Sequence, residues 1–176
     1  MATFDQRSTP TLVGSFYGSA VVTANKPIIA ITNYVVDFAP GRGVQGATYR
    51  AFTASGGGTT VFLPLLRKNA LDAGTGVSWG TGVLGRLVGS GSTTITITYY
   101  HSNGNTYTQT WYQTVSPSNP MFTFDQRSLG ATVPDGTMSA VITSNPAQPF
   151  SVIVNVVGPS TAPGDALMNF PGVAGP

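Results

Sequence analysis

The sequence contains no cysteine and no glutamate. Without cysteine there is no disulfide framework and no thiolate metal site. Charge is scarce as well: eight Lys/Arg and six aspartates give a net charge of +2 over 176 residues. The pI near 9.1 therefore reflects few acids rather than many bases. With no Lys/Arg cluster, a nucleic-acid partner is not expected. The only histidine, His101, stands beside an Asn-Gly pair and is expected to be an exposed turn residue. One imidazole without Cys or Glu offers a metal or a catalytic triad few partners. No apolar run approaches membrane-spanning length, so no membrane span is expected, and no export signal precedes the first recognisable segment.

The few acids also argue against catalysis. A hydrolase needs an acid/base pair held close together. The candidates are Asp5, Asp37, Asp72, Asp125, Asp135 and Asp165. Asp5 and Asp125 fall at equivalent positions of an internal repeat, so both read as structural, accepting turn hydrogen bonds or pairing with Arg7 and Arg127. No Asp-x-Asp-x-Asp run suggests a calcium loop. Gly41-Arg42-Gly43 and Gly56-Gly57-Gly58 are not followed by a helix, so they read as loop and linker rather than phosphate cradles. The expectation is a protein without catalytic residue, metal or cofactor, and not an enzyme.

What the sequence does contain is that repeat. Phe4-Asp5-Gln6-Arg7-Ser8 returns as Phe124-Asp125-Gln126-Arg127-Ser128, with Met1 and Thr3 facing Met121 and Thr123. Ser19, Ala20, Val21, Thr23 and Asn25 face Ser139, Ala140, Val141, Thr143 and Asn145. After a short insertion, Pro27 to Asn33 lies against Pro149 to Asn155. A long strand-like stretch, Thr59 to Val115, precedes the second copy, and none precedes the first. The alignment of Met1 with internal Met121 suggests that Met1 is not a native start.

Gly, Thr, Ser, Val and Asn dominate, a β-rich composition with many turns. Strands are expected over Phe16 to Ala24, Ile28 to Val36 (nearly all apolar, hence central and buried) and Ala47 to Thr53. In the longer region they are expected over Thr59 to Leu66, Val77 to Val88, Thr93 to Tyr100, Thr106 to Val115, Phe122 to Arg127, Met138 to Ser144 and Phe150 to Val157. Pro64 cannot donate to a ladder, so its strand should lie at an edge or carry a bulge. Asn103-Gly104 is a hairpin signal. The fold class is therefore all-β: two tandem Ig-like antiparallel β-sandwich modules, the N-terminal one incomplete. Residues 1–55 form the C-terminal half of a module, 56–58 a glycine linker, and 59–158 a complete module. Residues 159–176 form a Gly/Pro-rich tail around Ala166 to Phe170 that could close its own module or pair with a neighbouring subunit.

The order of segments is distinctive. A Leu63-Pro64-Leu65 strand ending in Arg67-Lys68-Asn69 is followed by a Trp-containing strand and a Thr-rich hairpin. The Phe-Asp-Gln segment, a Gly-Ser-Ala-Val-Val-Thr strand and Pro27-Ile28-Ile29-Ala30-Ile31-Thr32-Asn33 complete the set. This order resembles the tandem β-sandwich repeats of secreted surface proteins of filamentous, often thermophilic, bacteria. The resemblance implies an extracellular or cell-surface, repeat-built protein whose motifs are structural.

Half a β module leaves apolar faces uncovered and sheet edges unpaired, so something must complete it. One reading is a non-enzymatic structural subunit that self-associates into an extracellular filament or surface array by strand sharing or head-to-tail completion. Phe4, Phe16, Leu167, Met168 and Phe170 are its candidate assembly residues. The alternative is an adhesive or carbohydrate-binding module of a larger secreted protein. Trp79, Tyr99, Tyr100, Tyr107, Trp111 and Tyr112 lie on three strands that could be adjacent, and Trp79, Trp111 and Tyr112 are the candidates for stacking on surface glycans. The competing and favoured reading of the two indoles is that they fill the sandwich core.

Overall fold

The structure is a computed structural model that describes residues 2–5, 8–9, 18–37, 44–53, 56–128, 132–159 and 167–175. It is all-β and antiparallel, with strands β1 (Ile31–Asp37), β2 (Val44–Arg50), β3 (Thr60–Lys68), β4 (Ala70–Asp72), β5 (Val77–Leu87) and β6 (Thr94–His101). They are followed by β7 (Thr106–Thr110), β8 (Met121–Asp125), β9 (Gly136–Asn145), β10 (Phe150–Val157), β11 (Leu167–Pro171) and β12 (Val173–Ala174). Two five-stranded sheets make a sandwich. One runs β11-β10-β5, with β4 and β8 both paired to β5, and the other runs β12-β3-β9-β6-β7.

Local sequence explains the ladders. In β6 the alternation of Ile95, Ile97 and Tyr99 with Thr94, Thr96 and Thr98 sends the first set into the core and leaves the threonines outside. Threonines of β6 and β7 then pair across the outer face, Thr96 with Thr110 and Thr98 with Thr108. Gly104 takes a φ of 87°, which an L side chain resists, and so closes the β6–β7 hairpin. At Pro64 the β3–β9 register shifts between Leu63 and Leu66, so the missing N–H falls in a bulge. Leu63, Leu66, Ile142 and Ile97 of one sheet meet Val83, Phe122, Phe124, Phe150 and Val154 of the other in a single core.

One polar group lies deep in that core. The Tyr99 hydroxyl donates to Gln109 Oε1 at 3.1 Å and accepts from Gln126 Nε2 at 3.2 Å. Burial pushes the phenol well above the ordinary tyrosine range, partly offset by the Gln126 hydrogen bond. Above about pH 10 the unfolded tyrosine loses its proton while the folded one keeps it, so folding stability falls as pH rises. The loss from this residue is expected to approach about 1.4 kcal/mol per pH unit. In alkaline urea titrations Tyr99→Phe should flatten the decline between pH 10 and 12; an unchanged slope would assign it to other groups.

The N-terminal copy departs from expectation. Ile28 to Val36, expected to be central and buried, contributes β1, which pairs with β2 alone among the described residues. Ile28 is 52% exposed, whereas its repeat equivalent Phe150 is 0% exposed. Val22 is 49% exposed against 0% for Ile142. The reason lies in the pairing partners. In the sandwich β10 is held between β5 and β11, β9 between β3 and β6, and β8 by β5. The sequence of residues 1–57 holds no second copy of the stretch 59–115 that forms β3, β5 and β6. Only the copy of the β10–β11 pair has both its members there, and it forms in the same register: Ile31↔Arg50 matches Ile153↔Pro171. The flanking bond repeats too, Ala51 N to Ala30 O at 3.0 Å and Gly172 N to Val152 O at 2.9 Å. Residues 2–5 and 18–24, the copies of β8 and β9, carry no strand.

The linker and tail also belong to the sandwich. Gly58 exchanges two backbone hydrogen bonds with Phe150. β11 pairs with β10 and β12 pairs with β3, so the tail closes one edge of each sheet within the chain. β2 lies beside β11, with no ladder between them.

Candidate functional site

Among the described residues, three carboxylates are committed to local structure. Asp125 accepts from Arg127 N and Nε, both at 3.1 Å, while its carbonyl accepts from Ser128 Oγ at 2.8 Å. The first copy repeats the last of these contacts, Ser8 Oγ to Asp5 O at 3.0 Å; Arg7 lies outside the described residues. Asp72 Oδ1 caps the turn before β5 by accepting from Gly74 N at 2.9 Å. Asp135 Oδ1 accepts from Asn69 Nδ2 at 3.1 Å and lies 3.6 Å from Lys68 Nζ, which also donates to Val133 O. His101 joins this cluster and is buried rather than exposed, a correction to the sequence reading. Its Nδ1 accepts from Asn103 N at 3.0 Å, so Nε2 carries the proton and donates to Asp135 O at 3.2 Å. Lys68 and His101 thus stitch the loop before β9 to the ends of β3 and β6. No three His, Cys, Asp or Glu side chains converge as metal ligands among the described residues.

The aromatic residues separate. Trp79 lies on β5, in the opposite sheet from β6 and β7, which corrects the expectation that the three aromatic strands could be adjacent. Its indole rests on the core with the Arg67 guanidinium 5.5 Å from the ring centroid. Trp111, just beyond β7, packs edge-on to Phe124 at 5.8 Å and touches Tyr112 at 4.4 Å. Each indole Nε1 is buried without an acceptor among the described residues. Tyr112 is 76% exposed. Beside β7, an open depression of about 500 Å³ is lined by Thr106, Tyr107, Gln109 and Ser128. It contains no charged side chain.

The candidate assembly residues divide in the same way. Leu167 is buried and Phe170 packs on the core, so both serve the sandwich itself. Phe4 is 79% exposed although its equivalent Phe124 is buried, and Met168 is also exposed. Phe16 lies outside the described residues. Among the described residues, sequence reasoning did not single out the exposed Val21, Val22, Ile28, Ile29, Ile31 and Val35 of the first copy. Their signal was in the repeat, because each strand could have been checked for whether its ladder partners were repeated as well. A run of exposed apolar side chains on and beside a strand with one unbonded edge is a template for further strand pairing.

No protein-family model matches this chain, and no curated protein sequence does. Among solved structures it is similar to the crystal structure of Thermotoga maritima 1070, at 16% sequence identity and a TM-score of 0.50. The match covers 68% of this chain and 96% of that one. This likeness concerns the fold alone.

Proposed function

We propose that this chain is a non-enzymatic structural subunit of an extracellular filament or surface array, joined to its neighbours by shared β-strands. One observation carries the reading: Ile28 to Val36 copies a strand that is buried in the sandwich, yet Ile28, Ile29, Ile31 and Val35 stand exposed and β1 pairs with β2 alone among the described residues. Burying an isoleucine side chain is worth about 1.5–3 kcal/mol, so covering Ile28, Ile29 and Ile31 supplies a substantial driving force for association. Backbone bonds along the strand would add direction and register. The low charge and abundant Thr, Ser and Asn suit a neutral polymer surface. The extracellular setting rests on the resemblance to secreted surface repeats. A carbohydrate-binding role has less support, because Tyr112 is the one exposed ring of its three candidates and both indoles are partly buried against the core.

Electron microscopy and sedimentation of the protein isolated from its native source provide the test. Filaments or sheets containing this chain are expected. Dispersed monomers at every concentration would overturn the reading.

A further inference from the structure

The proposed strand sharing leaves open what the neighbour supplies, and the repeat specifies it. We infer that the copy of the C-terminal half within residues 1–53 takes up a half-sandwich equivalent to β3–β7, supplied from outside residues 1–176. This inference rests on the strand-sharing reading and names its partner.

The argument starts from an interface already present in the chain. β10 pairs with β5 in the register Phe150↔Leu87, Val152↔Gly85, Ile153↔Leu84 and Val154↔Val83. β1 and β2 reproduce β10 and β11 residue for residue in their mutual register. Carrying the β10–β5 interface over sets Ile28 opposite a Leu87-like residue, Ala30 opposite a Gly85-like one, and Thr32 opposite a Val83-like one. Ile28, Ala30 and Thr32 then face inward, as Phe150, Val152 and Val154 do in the sandwich. The same carry-over places Val22, the equivalent of Ile142, between copies of β3 and β6. Every exposed apolar position of the set thereby gains a strand beside it, and the missing strands are all of one kind: β3, β5 and β6, from the stretch 59–115.

Stoichiometry identifies where that half comes from. Residues 1–176 hold two copies of the C-terminal half, 1–53 and 121–174, but one N-terminal half, 59–115, which the second copy already occupies. Exchange among copies of residues 1–176 can only swap one occupant for the other, leaving one C-terminal half open per copy. Closure of every half requires an N-terminal half from outside residues 1–176, in the same polypeptide or another.

The test joins a second copy of residues 59–120 to the N-terminus of the full chain, so that its natural connection leads into Met1 as Pro120 leads into Met121. Hydrogen exchange is then followed by mass spectrometry. In the unextended chain, amides of residues 28–36 should exchange rapidly while those of 150–157 are protected. In the extended chain, exchange over 28–36 should slow by about 100-fold or more, as for a core strand. Ile28→Asp in the extended chain should abolish that protection and leave 150–157 protected, showing that the loss is confined to the first copy. Two results would overturn the inference: rapid exchange over 28–36 in the extended chain with 150–157 intact, or protection of 28–36 in the unextended chain at high concentration, which would make identical copies sufficient. Either leaves the functional reading standing or falling separately, on whether native material is polymeric.

Discussion

Replacing Phe122 with alanine is expected to cost the sandwich about 3–5 kcal/mol, a large part of the stability of a domain this size. The ring is fully buried and boxed edge-on by Phe124 at 6.1 Å and Phe150 at 5.7 Å. It also lies flat over the backbone of Gly85, where an added Cβ would sit 2.0 Å from the ring. Gly85 is in the middle of β5, paired to Phe122 on one side and Val152 on the other, so neither backbone can retreat. Gly85→Ala alone should therefore destabilise, by about 1–3 kcal/mol, through overpacking. In the Phe122→Ala background the same change should cost far less, because the space the methyl needs is then empty. Urea denaturation of the four proteins of this cycle reads the coupling directly from the midpoints, provided the slope stays constant. Additive losses would mean that Phe122 and Gly85 do not share one site.

This pair also shows where sequence reading stops. Phe150 to Val157 was legible to the residue because a short apolar run between turn signals is how a two-sided buried strand is written. The Asn103-Gly104 hairpin and the irregularity at Pro64 were legible because each rests on a local backbone constraint. Ile28 to Val36 carries the same apolar signal as Phe150 to Val157, yet its Ile28, Ile29, Ile31 and Val35 are exposed, because burial of a strand depends on partners that can lie far away in the chain. His101 reads as an exposed turn residue locally and is buried by the distant loop 133–136. Trp79 lies near Tyr99 in sequence and in the opposite sheet in space, since the chain crosses between sheets after β5. The unpaired edge was foreshadowed by the half-copied repeat, but its location on β1 required knowing that β10 is bonded to β5.

Removal of the tail after Pro159 should have the second largest effect, and it bears on how open edges behave in this fold. β10 is buried on both faces over Phe150 to Val154, a pattern suited to a strand covered on all sides. β11 supplies one of its two ladders, and Leu167 at the start of β11 is buried. Leu167→Ala alone should cost about 2–4 kcal/mol. Truncation goes further, because it removes the whole ladder and leaves a long, uncharged, apolar edge in water. Such an edge pairs with whatever strand is offered. The truncated protein should therefore be less stable in urea and should associate in a concentration-dependent way in sedimentation, while Leu167→Ala, which keeps the β11 backbone, should lose stability without associating. A truncated protein that stays monomeric and as stable as the parent would show that β11 neither supports nor shields β10. The comparison separates two properties that β1 combines, exposed apolar side chains and an unbonded backbone edge. If truncation drives association and Leu167→Ala does not, the edge is the adhesive element and the side chains select which strand it accepts.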